Sequence, residues 1–104
     1  MEKKYFFLRS HSPRPTFQMD MTPEERAIMM EHIAHWKAIT EKGFCIVYGP
    51  VMEPPDAWGL AIVEVEDEEQ VKRFIESDPA FIGKIMTYGI LPDAGRDGER
   101  MTSC

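Results

Sequence analysis

The chain predicts an α+β protein of the ferredoxin-like, split βαβ kind, with a four-stranded antiparallel sheet and two helices on one of its faces. Three observations predict it. A long helix opens on a capping box and closes at a glycine. A second, shorter helix opens on an aspartate. Two apolar segments of strand character stand between the helices, and one more lies at each end.

The elements follow in order. Lys4 to Arg9 is rich in aromatic residues and reads as a strand. Ser10 to Met21 holds Pro13 and Pro15, which suit neither a helix interior nor a central strand, so it reads as a loop over a surface or a pocket mouth. Thr22-Pro23-Glu24-Glu25 has the form of a capping box, with proline at the first helical position. That helix runs to Lys42 and stops at Gly43, a residue suited to a left-handed cap. Phe44 to Val51 is a strand that breaks at Gly49-Pro50, and Met52 to Asp56 is a Pro-rich connection. Trp58 to Val65 is a strand with Leu60, Ile62 and Glu64 on one face and Ala61, Val63 and Val65 on the other. Asp67 caps the second helix, with Gln70 as a weaker box and Val71, Phe74 and Ile75 as its apolar stripe. Asp78-Pro79 restarts the chain in a short helical turn through Ile82, and Lys84 to Leu91 is the last strand. Residues 1–92 form one domain, and the polar segment 93–104 reads as a poorly ordered tail.

This order leaves the second face of the sheet bare. Right-handed crossovers put both helices on one side, and the other side carries apolar residues from alternating strand positions. A two-fold homodimer with sheets packed face to face is the simplest cover.

Charge and length exclude several classes. The 104 residues carry 12 Lys+Arg against 18 Asp+Glu, a formal net charge of −6 with no basic block, which is a poor match for nucleic acid. No apolar run reaches the roughly 18 residues of a membrane-spanning helix, and the apolar stretch in Met1 to Arg9 is short for a signal peptide. Cys45 and Cys104 make no disulfide framework, so a reduced cytoplasmic protein is expected. A chain this short builds a core but has little left over to wall a deep pocket.

His32 is the first candidate for chemistry. On a helical wheel it falls inside the apolar arc of Ile28, Met29, Met30, Ile33, Trp36 and Ile39, so it faces the sheet, whereas His35 falls at the arc's edge and is partly exposed. A core histidine bonded to a carbonyl is the simpler reading for His32. Asp78, before proline and ahead of the last strand, is either a plain N-cap or a carboxylate that orients the His32 ring and raises its basicity. Gly49-Pro50 is a hairpin bend or a pocket wall. Arg9, His11 and Arg14 follow the first strand and form either a solvated loop or a set of contacts for an anionic substrate. Trp58 and Tyr48 read as core or interface aromatics, Trp58 being also a candidate substrate contact; Met19, Met21, Met29 and Met30 read as core filling or an adaptable pocket lining. No phosphate loop, nucleophile elbow or metal-ligand spacing beyond the His32/His35 pair occurs, so no metal and no cofactor are expected.

Taken together, a helix carrying His32, then Gly43, Gly49-Pro50, Trp58-Gly59, Asp78-Pro79 and a strand closing at Leu91-Pro92 resembles the YciI-like (YCII-related) domain family over about residues 4 to 92. The resemblance implies a dimeric α+β barrel built on a ferredoxin-like protomer, and an active site with a paired His and Asp that maps onto His32 and Asp78. The family's Gly-Pro maps onto Gly49 and Pro50. One branch is similar to dehydrochlorinases of chlorinated hydroxyhydroquinone, in which an acid/base pair assists elimination from an aromatic ring. The resulting expectation is a cofactor-free enzyme of elimination or isomerase type on a small cyclic or anionic molecule. Its rivals are a non-catalytic small-molecule binding or regulatory module, and an oligomerisation domain with no pocket.

Overall fold

The capping box forms as its residues dictate. In the computed structural model, which describes residues 3–53 and 56–92, the Thr22 hydroxyl accepts from the Glu25 amide at 3.1 Å and the Glu25 carboxylate accepts from the Thr22 amide at 2.9 Å. From this box the long helix α2 (Pro23–Glu41) runs to a cap at Lys42, followed by Gly43 at φ 90°. The second long helix, α3 (Glu68–Glu76), opens with the Asp67 carboxylate accepting from the Gln70 amide. Two four-residue helices complete the set, α1 (Phe17–Asp20) and α4 (Pro79–Ile82). Among the described residues no helix is long and apolar enough to cross a membrane.

The strands β1 (Lys4–His11), β2 (Cys45–Glu53), β3 (Asp56–Val65) and β4 (Thr87–Pro92) form one antiparallel sheet in the order β2-β3-β1-β4. This is the ferredoxin-like order. Alternation sets the core face: Phe6, Leu8 and Ser10 of β1 and Ala61, Val63 and Val65 of β3 are buried, and Trp36, Ile39, Val71 and Ile75 close on them from the helices. Each such apolar side chain, once buried, contributes about 1.5–3 kcal/mol. Among the described residues no helix covers the opposite face.

Several features differ from expectation, among them the Pro-rich connection expected over Met52 to Asp56, which shortens because β2 runs on to Glu53 and β3 starts at Asp56. β1 continues through Ser10 to His11, because Ser10 pairs with Gly59 and Tyr88 on both sides. The expected loop also contains a helical turn, α1, whose Phe17 is buried. β2 does not break at Gly49-Pro50: both residues stay paired with β3, and proline is tolerated there because β2 is an edge strand. A register shift between Cys45 and Val47 turns Ile46 outward, so Cys45 and Tyr48 both face the core, a bulge that alternation in the sequence hides. β4 starts at Thr87 rather than Lys84. Residues 83–86 instead wrap the end of α4, with Lys84 at φ 61° and the Ile85 and Met86 amides donating to the Ala80 carbonyl. The expected polar tail, with Cys104, lies outside the described residues.

Gly43 offers a clean stability test. A Cβ there meets nothing within 4 Å, so replacement by alanine carries only the backbone cost of the left-handed conformation. Gly43→Ala is expected to lower stability by about 1–2 kcal/mol, and Gly43→Asn by less, measured as urea unfolding midpoints.

Candidate active site

His32 and Trp36 are one helical turn apart on α2, so they share a face. Asp78 caps α4, which packs against that face. The three meet. His32 Nδ1 lies 2.8 and 3.0 Å from the two Asp78 oxygens, and Trp36 Nε1 donates to Oδ2 at 2.9 Å. The Ala80 amide donates to Oδ1 at 2.9 Å, and the Tyr88 hydroxyl of β4 donates to Oδ2. Asp78 has no solvent exposure.

Burial works against the Asp78 charge, yet hydrogen bonds from His32, Tyr88, Trp36 and the Ala80 amide prevail and hold its carboxyl below the usual carboxylate range. Burial, with the facing carboxylate adding to it, pushes the Tyr88 hydroxyl well above the normal phenol range, so Tyr88 remains a donor. An ionised carboxylate only accepts, which makes the His32 Nδ1 the donor and directs the other ring nitrogen, Nε2, away from Asp78. The His32 side chain is 15% exposed and borders a cavity.

That cavity has a volume of about 270 Å³. Its floor is two rows of residues running across the sheet. Pro50, Gly59, Ser10 and Tyr88 are partners in register in one row; Tyr48, Ala61 and Leu8 are partners in the next. Met29, His32, Ile33 and Trp36 of α2 form the roof, and Phe17, Gln18 and Met21 close one side. No Asp, Glu, Lys or Arg is among the described residues that line it.

The expected site residues are thus only partly brought together. His32, Gly49, Pro50 and Trp58 border the cavity, and Asp78 stands behind His32. Arg9, His11 and Arg14 do not line it. Arg9 points to the opposite sheet face, where its guanidinium lies 4.3 Å from the centre of the Trp58 ring. His11 is exposed at the end of β1. Arg14 is occupied by Asp20 at 2.8 Å and Glu25 at 2.8 Å, which ties the α1 segment to the capping box of α2. Hydrogen bonds from Arg14 are the main cause holding the Glu25 carboxyl well below its ordinary range. The helical wheel also placed Met30 and Ile33 inward, whereas Met30 is 66% and Ile33 48% exposed, because α2 packs on the sheet along a narrower stripe. Of the methionines, Met21 and Met29 line the cavity, while Met19 and Met30 face solvent. Sequence reasoning did not assign Trp36 and Tyr88 to the site. The i to i+4 spacing from His32 was a signal for Trp36; Tyr88 had none, since only strand register brings it to Asp78. His35 is a structural group: its Nε2 donates to the Phe74 carbonyl at 2.8 Å and its ring packs edge-on against Trp36.

The model of the YCII-related domain matches residues 5–92. The chain belongs to that family. Among solved structures it is similar to the 5-chloro-2-hydroxyhydroquinone dehydrochlorinase TftG of Burkholderia phenoliruptrix AC1100, in complex with 2,5-dihydroxybenzoquinone. The TM-score is 0.55 at 19% identity, over 82% of this chain and 89% of that one. At that identity the likeness is one of fold. No curated protein matches by sequence.

The Asp78 cluster carries a pH prediction. A depressed carboxylate contributes stability that is present above the unfolded value of about 3.9 and is lost as pH falls through the folded one. Wild type should therefore lose stability below about pH 4. Asp78→Ala, which strands buried donors, should cost about 3–5 kcal/mol at pH 7 and flatten that acid limb; urea unfolding across pH checks both.

Proposed function

We propose that this chain is a cofactor-independent acid/base enzyme acting on a small ring molecule. The observation that carries this reading is His32 itself: Nδ1 is committed to a buried carboxylate while the ring borders a cavity of single-ring size. In the proposed reaction His32 Nε2 takes a proton from a hydroxyl or ring carbon of the substrate. The proton leaves with a departing group, as hydrogen chloride does in a dehydrochlorination, or returns at another atom in an isomerisation. Asp78 holds the ring in the required tautomer and stabilises the imidazolium as it forms. Positioned proton transfer of this kind is worth about 10²–10⁴-fold in rate. The ring bound in the TftG structure supports a cyclic substrate. The uncharged cavity wall favours a neutral molecule over the anionic one considered from sequence, because a buried charge would meet no countercharge there.

Chloride release from 5-chloro-2-hydroxyhydroquinone and loss of the ring C–H signals of candidate substrates in D₂O test both reaction types. His32→Gln should reduce the active process by about 10²–10⁴-fold while the fold is retained; equal rates for variant and wild type would sink the proposal. The second reading, a non-catalytic binding module, rests on the same apolar cavity. It predicts a ring ligand that stabilises the protein and is recovered unchanged with no exchange.

We also infer that two copies of the chain pack through the uncovered sheet face, in the family's dimeric barrel arrangement. Val47, Val51, Leu60, Ile62, Phe7 and Leu91 alternate onto that face and would form an apolar interface. A reducing, cytoplasmic setting agrees with Cys45, a buried thiol whose ionisation burial disfavours. Sedimentation should give a dimer for wild type and a monomer for Ile62→Lys; a wild-type monomer at micromolar concentration would rule the arrangement out.

A further inference from the structure

Ser10 is a polar residue on the core face of the sheet that neither the fold nor the acid/base pair explains. It sits on the sheet floor of the cavity and is 5% exposed. Among the described residues its hydroxyl has no hydrogen-bond partner. The hydroxyl oxygen is not sealed off, so it presents a polar group to the cavity where an alanine would present none. The neighbouring strand is shaped around it. Gly59 is the register partner of Ser10, and a Cβ at position 59 would stand 2.2 Å from the Ser10 Oγ but 3.6 Å from its Cβ. The missing side chain at Gly59 therefore makes the space in which this hydroxyl rests. On the other side, Ser10 pairs with Tyr88, whose hydroxyl donates to the same Asp78 that holds His32. The floor row thus places Ser10 next to the Asp78 cluster, with His32 in the roof above.

We propose that Ser10 is a second substrate contact, held in orientation by the gap at Gly59, and that the cavity takes a neutral six-membered ring bearing two oxygen substituents, one met by His32 and one by Ser10. This rests on the proposed ring-directed acid/base function and specifies its substrate class. Four observations agree on that class. The volume of about 270 Å³ exceeds the roughly 150 Å³ that encloses benzene, which leaves room for substituents. Phe17, Trp36, Tyr48 and Tyr88 present flat apolar surface to a ring. The absence of charged side chains among the described lining residues selects against a charged ligand. Finally, the polar ends of Trp36 and Tyr88 are consumed by Asp78, so they offer a substrate only their ring surfaces. A hydroxyl both donates and accepts, so Ser10 serves either a ring hydroxyl or a ring carbonyl.

The test uses catechol, resorcinol and hydroquinone, each against the methylphenol of the same substitution pattern, titrated into the full chain and followed by amide NMR shifts. A methyl group matches a hydroxyl in size but cannot bond to Ser10. Wild type should bind at least one dihydroxybenzene about three- to tenfold tighter than its methylphenol. Ser10→Ala should abolish that preference and leave methylphenol binding unchanged. Gly59→Ala, which forces the Ser10 hydroxyl to rotate away, should do the same. In the Ser10→Ala background Gly59→Ala should add nothing, since the two Cβ atoms fit at 3.6 Å. A preference that survives Ser10→Ala, its absence from wild type, or additive effects of the two substitutions would overturn the role of Ser10. The failure of the underlying function reads differently: no ring of either kind binds wild type, or His32→Gln leaves turnover unchanged while the Ser10-dependent preference persists. Circular dichroism and the dispersion of the amide spectrum report folding of each variant.

Discussion

One buried carboxylate organises this molecule. Asp78 is fully enclosed, and it stays charged because His32, Trp36, Tyr88 and the Ala80 amide all donate to it. Those donors come from three separate elements, so the charge ties α2, the start of α4 and β4 together at one point. An unpartnered carboxylate in that position would be strongly unfavourable, and each donor removed raises the cost for those that remain. Beside this point α4 packs against α2, and residues 83–86 wrap back to the Ala80 carbonyl two residues from Asp78.

The same interaction decides what His32 presents to the cavity. With one ring nitrogen held against an anion as a donor, the ring orientation is fixed and Nε2 is the nitrogen left for the cavity side. His35, three residues along the same helix, shows the contrast. It spends its Nε2 on the Phe74 carbonyl and serves to join α2 to α3. Two histidines on one helix therefore have different environments, set by which element each one faces. The cavity beside His32 is closed in part by α1, whose position depends on Arg14 bridging Asp20 and Glu25. The guanidinium that looked like a substrate contact is instead a strut between the loop and the helix that starts beside it.

Much of this was legible in the residue order. The capping box at Thr22, the glycine stop at Gly43, the Asp67 and Asp78 caps and the alternation from Leu60 to Val65 all depend on local stereochemistry, and each forms as expected. The inward placement of His32 followed from helical period alone. Other features were hidden because they depend on partners far along the chain. The extension of β1 to His11, the persistence of β2 through Gly49-Pro50 and the late start of β4 are all consequences of pairing, which local propensity does not contain. The exposure of Met30 and Ile33 shows the same limit, since a wheel gives the direction of an apolar arc but not the width that a sheet will cover.

By itself the sequence determined the element order, the helix ends, the ferredoxin-like class and the two residues, His32 and Asp78, around which a site was to be sought. Capping, proline geometry and apolar period act over a few residues, so they can be read directly. Only the tertiary structure decided that Trp36 and Tyr88 complete the Asp78 cluster, that Arg9 and Arg14 are engaged away from the cavity, and that Ser10 shares the floor with Gly59. Those outcomes rest on strand register and on which side chains reach one another across elements, over 42 residues for Trp36 and Asp78 and over 6 to 11 for Arg14 and its partners, and apolar period and local propensity encode neither.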